Sequence, residues 1–216
     1  MNTNSSTIVR ELRELMPVRQ LETHEARSVA ERQATKLLEL LGMSEAPVDV
    51  SLLIDLPRID VRVDARLARL GISGLSESSR GYWRITINRA DAITRRRFTL
   101  AHEFKHVLDH PFTRTLYPRY TERENPQAEV LCDYFAACLL MPRPWVKRLW
   151  TGGLQDIDGL AARFRVSPAA MQRRVEQIGL VDRQRRCPAT LAGPDVARYF
   201  RSAPRTIPTP ATTVAA

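Results

Sequence analysis

Two histidines four residues apart, with a carboxylate directly after the first, are the groups in this chain best placed to do chemistry: His102-Glu103-Phe104-Lys105-His106. On an α-helix four residues advance ~6 Å and return almost to the same face, so both imidazoles can grip one cation. Glu103 is rotated ~100° from His102 and cannot share in the chelate. It stands beside the coordination position left open, where it can draw a proton from water. This is the logic of a zinc-dependent peptide hydrolase. A motif with three fixed letters also arises by chance, and the ordinary alternative is an amphipathic helix with solvated side chains.

The surrounding residues bear on that choice. From Arg97 to Leu108 the apolar positions are 98, 100, 101, 104, 107 and 108, the spacing of a buried helix. His102 and His106 fall among them, and buried imidazoles need partners. A third ligand should come from another element. The stretch Ala128 to Pro142 is apolar at 130, 131, 134, 135, 138, 139 and 141, with Glu129 and Asp133 as its only acids. An acid at a helix start is ordinarily a surface residue that complements the dipole. Two acids four apart on an otherwise apolar helix fit a site better. We read Glu129 as the third metal ligand and Asp133 as the group that orients a ligand imidazole through its ring N–H.

These blocks together resemble the ImmA/IrrE family of metallo-endopeptidases. Arg97-Phe98-Thr99-Leu100-Ala101-His102-Glu103 is similar to the family's RFTLAHE block. Glu129, Cys132, Asp133, Phe135, Ala136, Leu139, Leu140, Met141 and Pro142 are similar to its E-x-x-A-N-x-F-A-x-x-L-L-M-P helix. Gly74 and Ile85-Thr86-Ile87-Asn88 resemble its sheet, and Leu160-Ala161, Phe164, Val166-Ser167 and Arg173 its distal helical segment. The resemblance runs over roughly residues 25 to 182. Three positions depart from it: Lys105 where the family has Gly, Asp133 where it has Asn, and Cys132 where it has Ala. Lys105 needs room, so packing around the site should differ. Asp133 is the stronger acceptor for an imidazole, and Cys132 reads as a small buried hydrophobe. The resemblance implies a cytosolic, site-specific endopeptidase that cuts a repressor-like DNA-binding protein and so releases stress-response genes.

At 216 residues the chain can bury a real core. No apolar run approaches the ~20 residues of a membrane span, and the polar start, Met1 to Thr7, lacks a secretory h-region. Cys132, Cys138 and Cys187 make no paired framework, which suits a reducing, cytoplasmic setting. Charge is uneven. Residues 1–142 carry 20 Lys and Arg against 19 Asp and Glu, whereas 143–216 carry 13 against 5. A basic module invites an acidic partner or nucleic acid, and a weak DNA contact through the basic C-terminal region is one expectation. The basic residues are nearly all Arg, with lysines only at 36, 105 and 147, so a coding bias is the bland explanation.

The expected fold is α+β: a zincin-like domain with a small three-stranded sheet packed on helices, followed by a helix-turn-helix-like extension. Boundaries are expected at 1–24 for a flexible leader, 25–145 for the metallopeptidase domain, 146–187 for the helical subdomain and 188–216 for a disordered or loosely docked tail. Helices are read over 25–41 and briefly over 47–53, ahead of strands at 59–63, 71–75 and 82–88. Among Arg95, Arg96 and Arg97, two solvated side chains and one salt bridge are expected. His110, followed by Pro111, reads as a capping or supporting residue, and the connector 111–126 as a rim over the cleft. Tyr82, Tyr117, Tyr120 and Tyr134 are candidates to stabilise an oxyanion, and the strand Trp83–Asn88 to lie along an extended substrate. With His102, His106 and Glu129 holding Zn²⁺, Glu103 would be the general base. The alternative is a DNA-binding regulator with a structural or vestigial metal site. Substrate, scissile bond and oligomeric state are not readable from the sequence.

Overall fold

β-Branched residues on alternate positions and a helix-period apolar stripe set the two halves of the molecule, a small sheet and the helices that cover it. The computed structural model describes residues 5–116 and 125–181. In chain order these form α1 (Ser5–Glu14), α2 (Thr23–Leu40), β1 (Ile59–Asp64), β2 (Gly74–Ser79), β3 (Tyr82–Asn88), α3 (Ile93–Asp109), the one-turn α4 (Thr113–Leu116), α5 (Pro126–Leu140), α6 (Arg143–Thr151), α7 (Ile157–Phe164) and α8 (Pro168–Gln177). The α+β class and the three-stranded sheet are as expected. No helix among the described residues is long and apolar enough to cross a membrane.

The strand order is β1-β3-β2, with β3 parallel to β1 and antiparallel to β2. Val61 and Ser76 flank Ile85 from either side. Ile85 and Ile87 are buried, which anchors the sheet on the core. The second strand differs from its expected span. Gly71 does not open it but ends a 3₁₀ turn, Ala65–Leu70, at φ +68°, a backbone that glycine adopts without cost. Pairing starts only at Gly74. Likewise the short helix expected over 47–53 is a single 3₁₀ turn, Val50–Leu53, held by the Asp49 side chain accepting from Ser51 N.

α3 and α5 pack face to face in the centre. Phe104 and Phe135 are fully buried, with ring centroids 6.4 Å apart. Asn125 caps α5 by accepting from Gln127 N and Ala128 N, and Pro126 occupies the first turn. Asp156 caps α7 by accepting from Gly159 N, and Ser167 caps α8 by accepting from Ala170 N at 3.2 Å. Their Phe164, Met171 and Val175 belong to the same buried cluster as Leu108 and Phe135. The tail expected over 188–216, with Cys187, lies outside the described residues.

The expected flexible leader is corrected over its middle part. Ile8, Leu12 and Met16 are buried in the main core. Arg13 donates to the Val107 and Leu108 carbonyls at 2.7 and 3.3 Å, near the C-terminal end of α3 where helix carbonyls lack internal partners. The short apolar stretch is amphipathic enough to dock, and the arginine adds a specific anchor.

Lys105 explains what replaces the expected glycine. Its side chain is fully buried and runs between α2 and α3 to Gln33 Oε1 at 2.8 Å and Asp109 Oδ1 at 2.5 Å. Gln33 Nε2 in turn donates to the Leu12 carbonyl of α1. A buried ammonium holds three helices together because each alternative leaves a charge without water. Asp109→Leu alone should therefore cost ~3 kcal/mol or more, while Lys105→Met/Asp109→Leu should recover most of it, measured as urea unfolding free energies.

Candidate metal centre

The helix spacing delivers what the motif required. His102 Nε2 and His106 Nε2 lie 3.1 Å apart. The Glu129 carboxylate reaches both, with Oε2 at 3.2 Å from His102 Nε2 and Oε1 at 3.3 Å from His106 Nε2. These are the edge lengths of a tetrahedron: donors ~2.1 Å from a central zinc ion are separated by about 3.4 Å. The donor set of two imidazoles and one carboxylate therefore fits a divalent metal with a fourth position open to the cleft.

Asp133 stands one turn beyond Glu129 on α5. Its Oδ1 is 2.9 Å from His102 Nδ1, so the ring N–H donates to the carboxylate and Nε2 is left to face His106 and Glu129. The electrostatics follow. Burial works against a charged His102, but the bonds to Asp133 and Glu129 outweigh it and lift this imidazole to about 9. Glu129 is held well below the usual carboxylate range by the bonds from His102 and His106.

Glu103 is buried on the next face of α3, beneath the sheet edge. A Cβ on Gly74 would lie 3.0 Å from Glu103 Oε1 and 2.3 Å from the Thr99 methyl, so β2 can cross α3 this closely only with glycine at that position. The open cavity around these residues holds about 790 Å³ and is bounded by β2 from Gly74 to Ser78, by Trp83 and His110, and by Asn125 and Glu129. The expectation that Trp83–Asn88 offers a pairing edge is corrected. β3 is hydrogen-bonded on both sides, and among the described residues it is β2 that borders the cavity with a free edge.

His110 sits in a 3₁₀ turn that continues α3, packs edge-on to Trp83 at 4.8 Å and faces the cavity, in keeping with a supporting role. Of the tyrosines, Tyr82 is exposed at the start of β3 and Tyr134 lies across α5, donating to Glu31 Oε2 at 3.3 Å. Neither borders the metal cavity. Tyr117 and Tyr120 lie outside the described residues, as does most of the expected rim. Arg97 makes no ion pair among the described residues but donates to the carbonyls of Val48 and Arg165, tying α3 to two turns.

Cys132 was not foreseen near the metal. Its sulfur and the two imidazoles come within 4.8 Å of one another. Its position three residues after Glu129 on the same helix was the available signal. Burial pushes its thiol well up, whereas the bonds from His102 and His106 hold the Glu129 carboxylate below its usual range.

The IrrE N-terminal-like domain matches residues 61–176 of the chain. None of the curated proteins compared with it matches. A solved structure described as a Mycobacterium tuberculosis transcriptional regulator superposes with a TM-score of 0.52 at 20% identity, covering 78% of this chain and 51% of that one. The chain thus spans about half the length of that protein, and the likeness is one of fold.

Two outcomes follow from this geometry. In metal-free protein the raised His102 should stabilise the fold fully below pH ~6.5 and lose that contribution as pH rises through about 9. The stability advantage of the parent over Asp133→Asn, from urea midpoints, should shrink across that window. Gly74→Ala should displace Glu103 or Thr99 and destabilise by ~1–3 kcal/mol, read from the same unfolding curves.

Proposed function

Because the chain belongs to the ImmA/IrrE family, whose domain covers more than half of it, we propose that it is a zinc-dependent endopeptidase. The observation that carries this reading is the convergence of His102 Nε2, His106 Nε2 and the Glu129 carboxylate, all within 3.3 Å of one another, at the floor of an open cavity. In this reading those three side chains hold the ion and Asp133 fixes the His102 ring. A bound divalent metal would supply Lewis acidity, making water a better nucleophile at neutral pH and polarising a peptide carbonyl.

The chain's own groups do the rest. Glu103 accepts the proton of the attacking water and passes it to the departing amine, which splits one proton transfer between two steps that each need only a modest barrier. Burial beneath β2 keeps that carboxylate from wandering into solvent. An extended substrate segment pairs with the free edge of β2, placing its scissile carbonyl over the imidazoles. Such pairing uses backbone groups in the middle of a chain and so favours internal cleavage over trimming from an end.

The substrate class we propose is a cytosolic DNA-binding repressor. A second reading, a DNA-binding regulator with a structural metal site, is favoured by α7 and α8 packed about the Ser167 turn, by the excess of basic residues after position 142, and by the regulator whose fold is similar. Metal analysis separates the two when joined to cleavage of candidate repressors. Purified protein should carry about one zinc, lost in His102→Ala and kept in Glu103→Gln. Cleavage should fall at least ~100-fold in Glu103→Gln. Undiminished cleavage by that variant would overturn the mechanism, and zinc without cleavage of any repressor, together with salt-dependent duplex binding, would favour the regulator. Asp133→Ala should weaken zinc affinity by ~10–100-fold, measured by chelator competition.

A further inference from the structure

We infer that a second cavity, which shares the Asp133 wall of α5 with the metal centre, binds a small organic anion: a carboxylate or phosphate group carried on an apolar body. The cavity holds about 600 Å³, within the range of small-ligand sites, and lies among α2, the start of α3, α5 and α8. Four arginines converge on it: Arg27, Arg95, Arg173 and Arg174. None of them joins an ion pair among the described residues. The one carboxylate in the cavity wall, Asp133, already accepts from His102 Nδ1.

Arg174 is the decisive residue. It is 2% exposed, yet its Nη2 has no hydrogen-bond partner among the described residues. Nε donates to the Met141 carbonyl at 2.9 Å and Nη1 to Gln177 Oε1 at 3.2 Å, so the guanidinium plane is fixed and its last edge is left unpaired. A buried donor on a charged group without an acceptor is costly, and an incoming anion removes that cost. Arg27 and Arg174 both stand over the Tyr134 ring, at 5.5 and 6.0 Å from its centroid. Glu31 accepts from the hydroxyl of that ring, so one carboxylate stands against two guanidinium groups there. Phe98, Val130 and Val166 line the remaining wall and suit an aliphatic or aromatic body. The concave shape takes a headgroup and a short chain rather than the broad backbone of a duplex. Because Asp133 belongs both to this wall and to the His102 contact, an occupant here touches the residue that orients a ring of the metal centre.

The test is calorimetric titration of the full chain with inorganic phosphate, hexyl phosphate, hexanoate and hexan-1-ol. At least one of the two anionic hexyl probes should bind with unit stoichiometry and about tenfold or more tighter than hexan-1-ol, since one charge-assisted bond is worth that much. The tighter of the two identifies the headgroup. Arg173→Ala and Arg174→Gln should each weaken it about tenfold, whereas Arg143→Ala, at an exposed arginine away from the cavity, should not. If Arg174→Gln does not fold, Arg27→Ala replaces it. Absence of saturable binding for both anionic probes would overturn the inference. So would equal weakening by Arg143→Ala, or equal binding of the alcohol. None of these readouts depends on peptidase activity.

Discussion

An imidazole pair on one helix must meet a carboxylate on another to within about 3 Å, and the rest of this structure serves that distance. α3 and α5 have little freedom to slide, because Phe104 and Phe135 meet between them and a close-packed interior resists shifts of even a methylene. The site residues themselves are poor glue. Glu129 and Asp133 both have side chains 61% exposed, and charges at that exposure contribute little to holding helices together. Their precision is inherited from the apolar contact beneath them.

Behind α3 the buried polar chain from Leu12 through Gln33 and Lys105 to Asp109 acts in the same sense from the other side. Lys105 sits between Glu103 and His106 in sequence but points away from both, into the core. The helix is thus fixed on one face by hydrocarbon and on another by a buried ion pair. A polar network of this kind specifies one arrangement because partial rearrangement strands a charge. The N-terminal helix takes part through a single carbonyl and through Arg13 at the C-terminal end of α3. In front of the site, β2 presses its glycine onto Glu103 and presents an unpaired edge over the cavity. One strand therefore both confines the candidate base and offers backbone groups to a partner chain.

Local chemistry was legible wherever one helix carried it. The i, i+4 spacing of His102 and His106 and of Glu129 and Asp133 is a property of helical geometry alone, so their shared faces were readable without a fold. The cap at Ser167, followed by Pro168, is equally local. Misreadings arose where pairing partners decide. Trp83–Asn88 reads as a strand that could lie along a substrate, but whether a strand is central or at an edge is set by contacts distant in sequence. The leader looked free because its apolar residues are few, and only the surface awaiting them shows that they dock. Cys132 entered the metal neighbourhood through packing that a small, apolar-seeming residue does not announce.

What the chain determined by itself is thus the set of candidate donors and the elements that carry them: two imidazoles, a neighbouring candidate base and two acids one turn apart, each placed by helical periodicity. Tertiary structure alone decided that the side chains of α3 and α5 meet around one point, that β2 rather than β3 lies at the sheet edge beside the cleft, and that arginines from three separate stretches of the chain share a cavity. The reason is one of range. Backbone hydrogen bonding and 3.6-residue periodicity act over a few residues and are written in the local order of side chains, whereas the meeting of separate elements depends on how their apolar faces fit once water is excluded.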